Sequence, residues 1–103
     1  MVGTIIVGAP QQVTHGAPFA SSIQINGASP NVNVTVALIQ THGTAPMWDG
    51  SHVVIAVGPT GSGVGAFTGI IIPTATPVAV LVATASSPSA DVFAPDAVSI
   101  KVL

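Results

Sequence analysis

Apolar and polar side chains change places at almost every step through "NVNVTVALIQ" (31–40), with Val32, Val34, Val36 and Leu38 on one side and Asn31, Asn33 and Thr35 on the other. A period of two is the signature of a strand with one buried face. It recurs along the chain. In "APFASSIQING" (17–27), Phe19, Ser21, Ile23 and Ile25 alternate with Ala20, Ser22, Gln24 and Asn26, and "SHVVIAVG" (51–58) sets Val53, Ile55 and Val57 in phase. "GAFTGIIIP" (65–73) aligns Phe67, Gly69 and Ile71, while "DAVSIKVL" (96–103) turns Val98, Ile100 and Val102 inward and Ser99 and Lys101 outward. "TIIVGAP" (4–10) is an apolar opening that Pro10 ends, and "PVAVLVATA" (77–85) is apolar on both sides, as a central strand is.

Turn-forming residues separate these runs, in "NGASPN", "THGTAP", "GPTGSG", "PTATP" and "SSPSADVFAPD". No segment holds a helical apolar period, with caps, over the roughly ten residues a helix needs. The pattern predicts an all-β antiparallel sandwich of about seven strands, because a lone sheet leaves its inward face in water. A small closed barrel is the alternative. With 103 residues the chain makes a single domain spanning 1–103. Some strands are apolar on their second face as well: Ile6 is out of phase with Ile5 and Val7, Val54 with Val53 and Ile55, and Ile70 and Ile72 with Phe67 and Ile71. Either the 86–96 connection covers this face, or a neighbouring domain or second copy does, so the isolated domain is expected to self-associate.

Composition narrows the function classes. Charged residues are 4% of the chain, against about a quarter in an average protein, and the inventory is Lys101, Asp49, Asp91 and Asp96. One Lys and no Arg cannot make the basic patch that nucleic acid requires. No apolar run approaches the roughly 20 residues of a spanning helix, and one Trp, three Phe and no Tyr do not furnish the aromatic girdles of a membrane barrel. Membrane insertion is therefore not expected. Absence of cysteine excludes disulfides and thiolate zinc sites. A surface rich in Thr, Ser, Asn and Ala suits an extracellular or cell-surface location, although residues 1–20 carry no export signal. With so few carboxylates, stability should change little between about pH 4 and 8.

Local phrases add a resemblance. "HGAPFASSIQING" (15–27), with Gly16 two residues before Pro18-Phe19, the Gly-x-Phe-x-x-x-Ile-x-Pro segment in "GVGAFTGIIIPTA" (63–75), and "PVAVLVATASSP" followed by "DAVSIKVL" resemble bacterial immunoglobulin-like domains. The resemblance covers most of the chain and implies an immunoglobulin-like β-sandwich in a secreted or surface multidomain protein. It further implies a spacer or accessory role of the kind such domains have in adhesins and polysaccharide-active enzymes. It carries no catalytic residue across. The Cys pair and the tyrosine corner of antibody domains are missing.

Candidate chemistry is sparse. No strained Gly-x-Ser-x-Gly turn presents a nucleophile, and "GPTGSGVG" (58–65) lacks the Lys-Ser/Thr of a phosphate loop, so it reads as a turn. Asp91 and Asp96 can solvate the loop before the last strand or contribute to a calcium site. His42 and His52 flank a turn at Met47–Gly50 and can approach one another, with His15 elsewhere, but no tight ligand spacing marks a metal site. The remaining stretch is "MWDGSHVV" (47–54). Asp49-Gly50 is a turn pair, and Trp48 either caps the core or makes a contact. In the second case Trp48 and Met47 stack on a sugar ring or a partner protein, with Asp49 and His52 hydrogen-bonding at the edge. The expectation is a non-catalytic structural, spacer or interaction module with no cofactor and no metal. Its partners would be neighbouring domains, a second copy or a polysaccharide. A carbohydrate-binding module using Trp48, a self-assembling shell or tail component, and a small enzyme or metal protein are the alternatives.

Overall fold

Alternation passes directly into backbone pairing. The computed structural model describes residues 2–42, 45–72, 77–89 and 91–103, with the backbone alone at 2, 41, 42 and 45–51. Its strands are β1 (Val2–Gly8), β2 (Gln12–Val13), β3 (Phe19–Asn26), β4 (Asn33–His42), β5 (Ala45–Ala56), β6 (Gly63–Ile70), β7 (Ala79–Ser86), β8 (Val92–Phe93) and β9 (Asp96–Val102), with no helix among the described residues. They form two sheets, ordered β6-β3-β1-β8 and β2-β9-β7-β4-β5. The longer strands are those that alternation predicts. β2 and β8 have two residues each, too few to show a period.

The chain is all-β and sandwich-like, and its core lies between the two sheets. Ile5 and Val7 of β1, Ile23 and Ile25 of β3, and Phe67 of β6 face Val34, Val36 and Leu38 of β4, Ile55 of β5, Leu81 and Ala83 of β7, and Ile100 of β9. Each large aliphatic side chain buried this way contributes about 1.5–3 kcal/mol relative to exposure. β7 is the middle strand of its sheet, paired with both β4 and β9, which accounts for its apolar residues on both sides. Ser21 is the polar member of the β3 inward row. It is fully buried and its hydroxyl donates to the Gly8 carbonyl at 3.0 Å.

Pro10 interrupts the opening strand, since it has no N–H to add to the ladder. Beyond it the chain changes sheets: β1 pairs with β3 and, in parallel, with β8, whereas β2 pairs in parallel with β9. Short outermost strands on this side leave little open edge for stray pairing.

One phase assignment is corrected. Ile70 and Ile72, expected on the outer face, are buried at 3% and 0%, whereas Ile71, expected inward with Phe67, is 49% exposed. A bulge causes the reversal. Ser21 pairs with Phe67 and Phe19 with Ile70, so Thr68 and Gly69 together oppose Ala20, and Gly69 has φ +69°. One extra residue flips every side chain after it.

Candidate functional site

The stretch "MWDGSHVV" is strand, not turn. Gln40 pairs with Met47 and Leu38 with Ser51, so Trp48, Asp49 and Gly50 on β5 occupy the space of Ile39 alone on β4. The ladder then runs on to His42 and Ala45. Asp and Gly disfavour a regular ladder and are common to turns and bulges alike, which is why the pair read as a chain reversal. The proposed contacts of the Met47, Trp48 and Asp49 side chains fall outside the described residues. His52 is described: it is exposed and lies opposite Ala37. The pairing also separates the two histidines expected to meet across a turn. His42 is five residues along β4 from the partner of His52, a rise of about 17 Å. Among the described residues no group of three or more His, Asp or Glu stands together as metal ligands.

The polar side chains that are described tie distant parts of the chain together. Asp91 accepts a hydrogen bond from the Ser29 backbone N–H at 2.8 Å and another from the Ser29 hydroxyl at 3.0 Å. The Ser29 N–H, chiefly, and then the Ser89 and Ser29 hydroxyls hold the Asp91 carboxyl below its ordinary value of 3.8, against a smaller opposing effect of burial. Asp96 accepts from the Val7 N–H at 2.9 Å, bridging β9 to β1. Asp91 therefore ties the connection before β8 to the β3–β4 connection and Asp96 ties β9 to β1, where the sequence offered solvation of a loop or a share in a calcium site. His15 donates from Nδ1 to the Leu103 carbonyl at 2.6 Å, and its backbone N–H donates to the same oxygen at 2.9 Å. A carbonyl only accepts, so Nδ1 carries the proton.

Asp91 yields a pH prediction. A carboxyl with a lowered folded pKa contributes stability that is present above its unfolded value and lost as pH falls through the folded one. Asp91→Asn keeps one acceptor for Ser29 but removes the charge. The wild type should unfold at higher urea than Asp91→Asn at neutral pH, and the two midpoints should converge as the pH is taken below about 4, the unperturbed carboxyl range. A gap that stays constant down to the most acidic buffer contradicts the assignment.

The outer face of the β5-β4-β7-β9 sheet carries apolar residues on its central strands. Ile39 and Val82 are directly opposed at its centre, with Ala97 beside Val82 and Ala37 one row along opposite Thr84. Val54 on β5 is 61% exposed. The 86–96 connection, expected to cover an apolar face, instead sends Phe93 into the core. Comparison with protein-family models and with curated proteins finds no match. Function is thus read from this surface and these carboxylate ties. Sequence reasoning named Val54 and Ile6 as outward apolar residues and missed Ile39 and Val82. The signal was present: Leu38 is followed by Ile39, and "PVAVLVATA" has no polar phase.

Proposed function

We propose that the chain is a non-catalytic structural or interaction module of an extracellular or cell-surface protein, built as an immunoglobulin-like sandwich. One observation carries the reading: Asp91 and Asp96, the carboxylates whose side chains are described, both accept backbone N–H groups from other segments. Acid groups committed in this way join strands and loops; they are not held ready for a substrate. Strand distribution supports the fold assignment. β1, β3 and β6 share one sheet and β4, β5, β7 and β9 the other, so the β3–β4, β5–β6 and β6–β7 connections cross between layers, as connections do in a Greek-key sandwich.

The test is retention on a panel of insoluble polysaccharides, comparing the wild type with Trp48→Ala. The module reading expects neither protein to be retained. Retention that vanishes with Trp48 overturns it in favour of a carbohydrate-binding module.

A further inference from the structure

Antiparallel sheets with one wet face normally alternate apolar inward and polar outward. On the four-stranded sheet, Ser22 and Gln24 on β3, Thr4 on β1 and Thr68 on β6 face outward; Ile6 and Val64 are held apart by Gln24 between them, and Val92 stands at the β8 edge. The five-stranded sheet departs from the rule at its centre. Outward from its two central strands stand Ala37, Ile39 and Val82, flanked by Ala97 on β9 and Val54 on β5. We propose that this face packs on the same face of a second copy of the chain. The proposal rests on the interaction-module reading and names the partner.

Two quantities favour a second copy. Four strands about 4.8 Å apart and about eight residues long at 3.4 Å each present roughly 500 Å² in projection. Two such faces together reach the ~1,000 Å² that a specific interface needs. Charge is the second. Among the described side chains of this face, the titratable ones are Lys101, exposed on β9 at one flank, and His52, exposed on β5 at the other, and the centre has none. A partner recognised by charge would require more. A two-fold axis running along the strands between β4 and β7 sets β9 of each copy over β5 of the other. The two Lys101 ammonium groups then lie on opposite flanks, and the aliphatic centres meet at the ~10 Å spacing of stacked sheets.

Sedimentation velocity from about ten micromolar to about one millimolar tests this on the whole chain. The wild type and Gln24→Lys, which places the same charge on the outer face of the other sheet, should both dimerise. Val82→Lys should weaken association on the order of tenfold or more, because a lysine would be buried without a counter-charge. Concentration-dependent amide shifts of the wild type give a second readout that needs no variant. They should cluster at Ala37, Ile39, Val82 and Ala97 and spare Ser22, Gln24 and Ala66. A monomer at millimolar concentration overturns the proposal, as does a dimer weakened by Gln24→Lys and not by Val82→Lys. Shifts confined to β1, β3 and β6 do the same. Trp48-dependent retention on polysaccharide would instead overturn the module reading, so the two failures are separately visible.

Discussion

Replacing Leu81 by alanine should cost the domain about 2–5 kcal/mol, as truncations of fully buried leucines do. Leu81 has no exposed surface and sits at the middle of the central strand, paired with Gln40 on one side and Val98 on the other. Its side chain points to the layer where the two sheets meet, so the lost atoms leave a cavity that neither sheet can close without breaking register. Domains of this size are stable by about 5–15 kcal/mol, so the change is a large fraction of the whole. Thermal unfolding should drop by on the order of 10–30 °C. Val82→Ala is the matched control. Val82 is the next residue on the same strand but faces outward and is only partly buried. It should cost less than about 1 kcal/mol at micromolar concentration. Equal losses for the two would mean that the inward and outward faces of β7 are wrongly assigned.

Gly61→Ala should be the other severe change, at about 2–5 kcal/mol, from two sources that a control can separate. Gly61 has φ +80°, which costs an L-residue roughly 1–2 kcal/mol. A Cβ there would also lie 2.6 Å from the Ala28 carbonyl oxygen. That oxygen belongs to a backbone already fixed by the Ala28 N–H donating to the Gly61 carbonyl at 3.0 Å, so the clash moves two connections apart and adds roughly 1–3 kcal/mol. Gly16 has a matching φ of +78° and nothing near its would-be Cβ. Gly16→Ala should therefore show the backbone part alone. Urea midpoints of the pair give the answer, and an equal loss at both positions removes the steric argument.

Strand positions were readable because inward and outward environments differ so strongly here. Val34, Val36 and Leu38 are fully buried while Asn33 is exposed and Thr35 and Ala37 are partly so, as strand alternation requires; Asn31, expected in the same row, lies in the preceding turn with φ +60°. The reading failed where a ladder is irregular. After Phe67 the extra residue at Gly69 reversed the phase of Ile70, Ile71 and Ile72. At Trp48–Gly50, a three-against-one mismatch carried the composition of a turn. Bulges arise from how two strands must fit each other, and a one-strand pattern does not contain that information. β2 and β8 were illegible for the same reason, since each exists through a neighbour nearly a full chain length away. At the candidate site, the sparse ionic groups were correctly singled out, but their roles were not. That Asp91 meets Ser29, and Asp96 meets Val7, depends on which loops the topology brings together.

The passage of the first strand from one sheet to the other has a mechanical consequence. Residues 2 and 103 lie at opposite poles of the sandwich, Val2 beside Val92 and Leu103 beyond the end of β9. Tension pulling these ends apart along the strands draws β2 and β9, which run parallel, past each other in shear. It loads together the Lys101 N–H on the Gln11 carbonyl, the Leu103 N–H on the Val13 carbonyl, and the His15 N–H on the Leu103 carbonyl. The Val7–Asp96 bond carries part of the same load. Bonds arranged across the pulling direction share force and yield at once, whereas a hairpin opened from its end loses them one by one. The two ends of the chain thus form a latch against stretching, in a fold that has no disulfide to do that work.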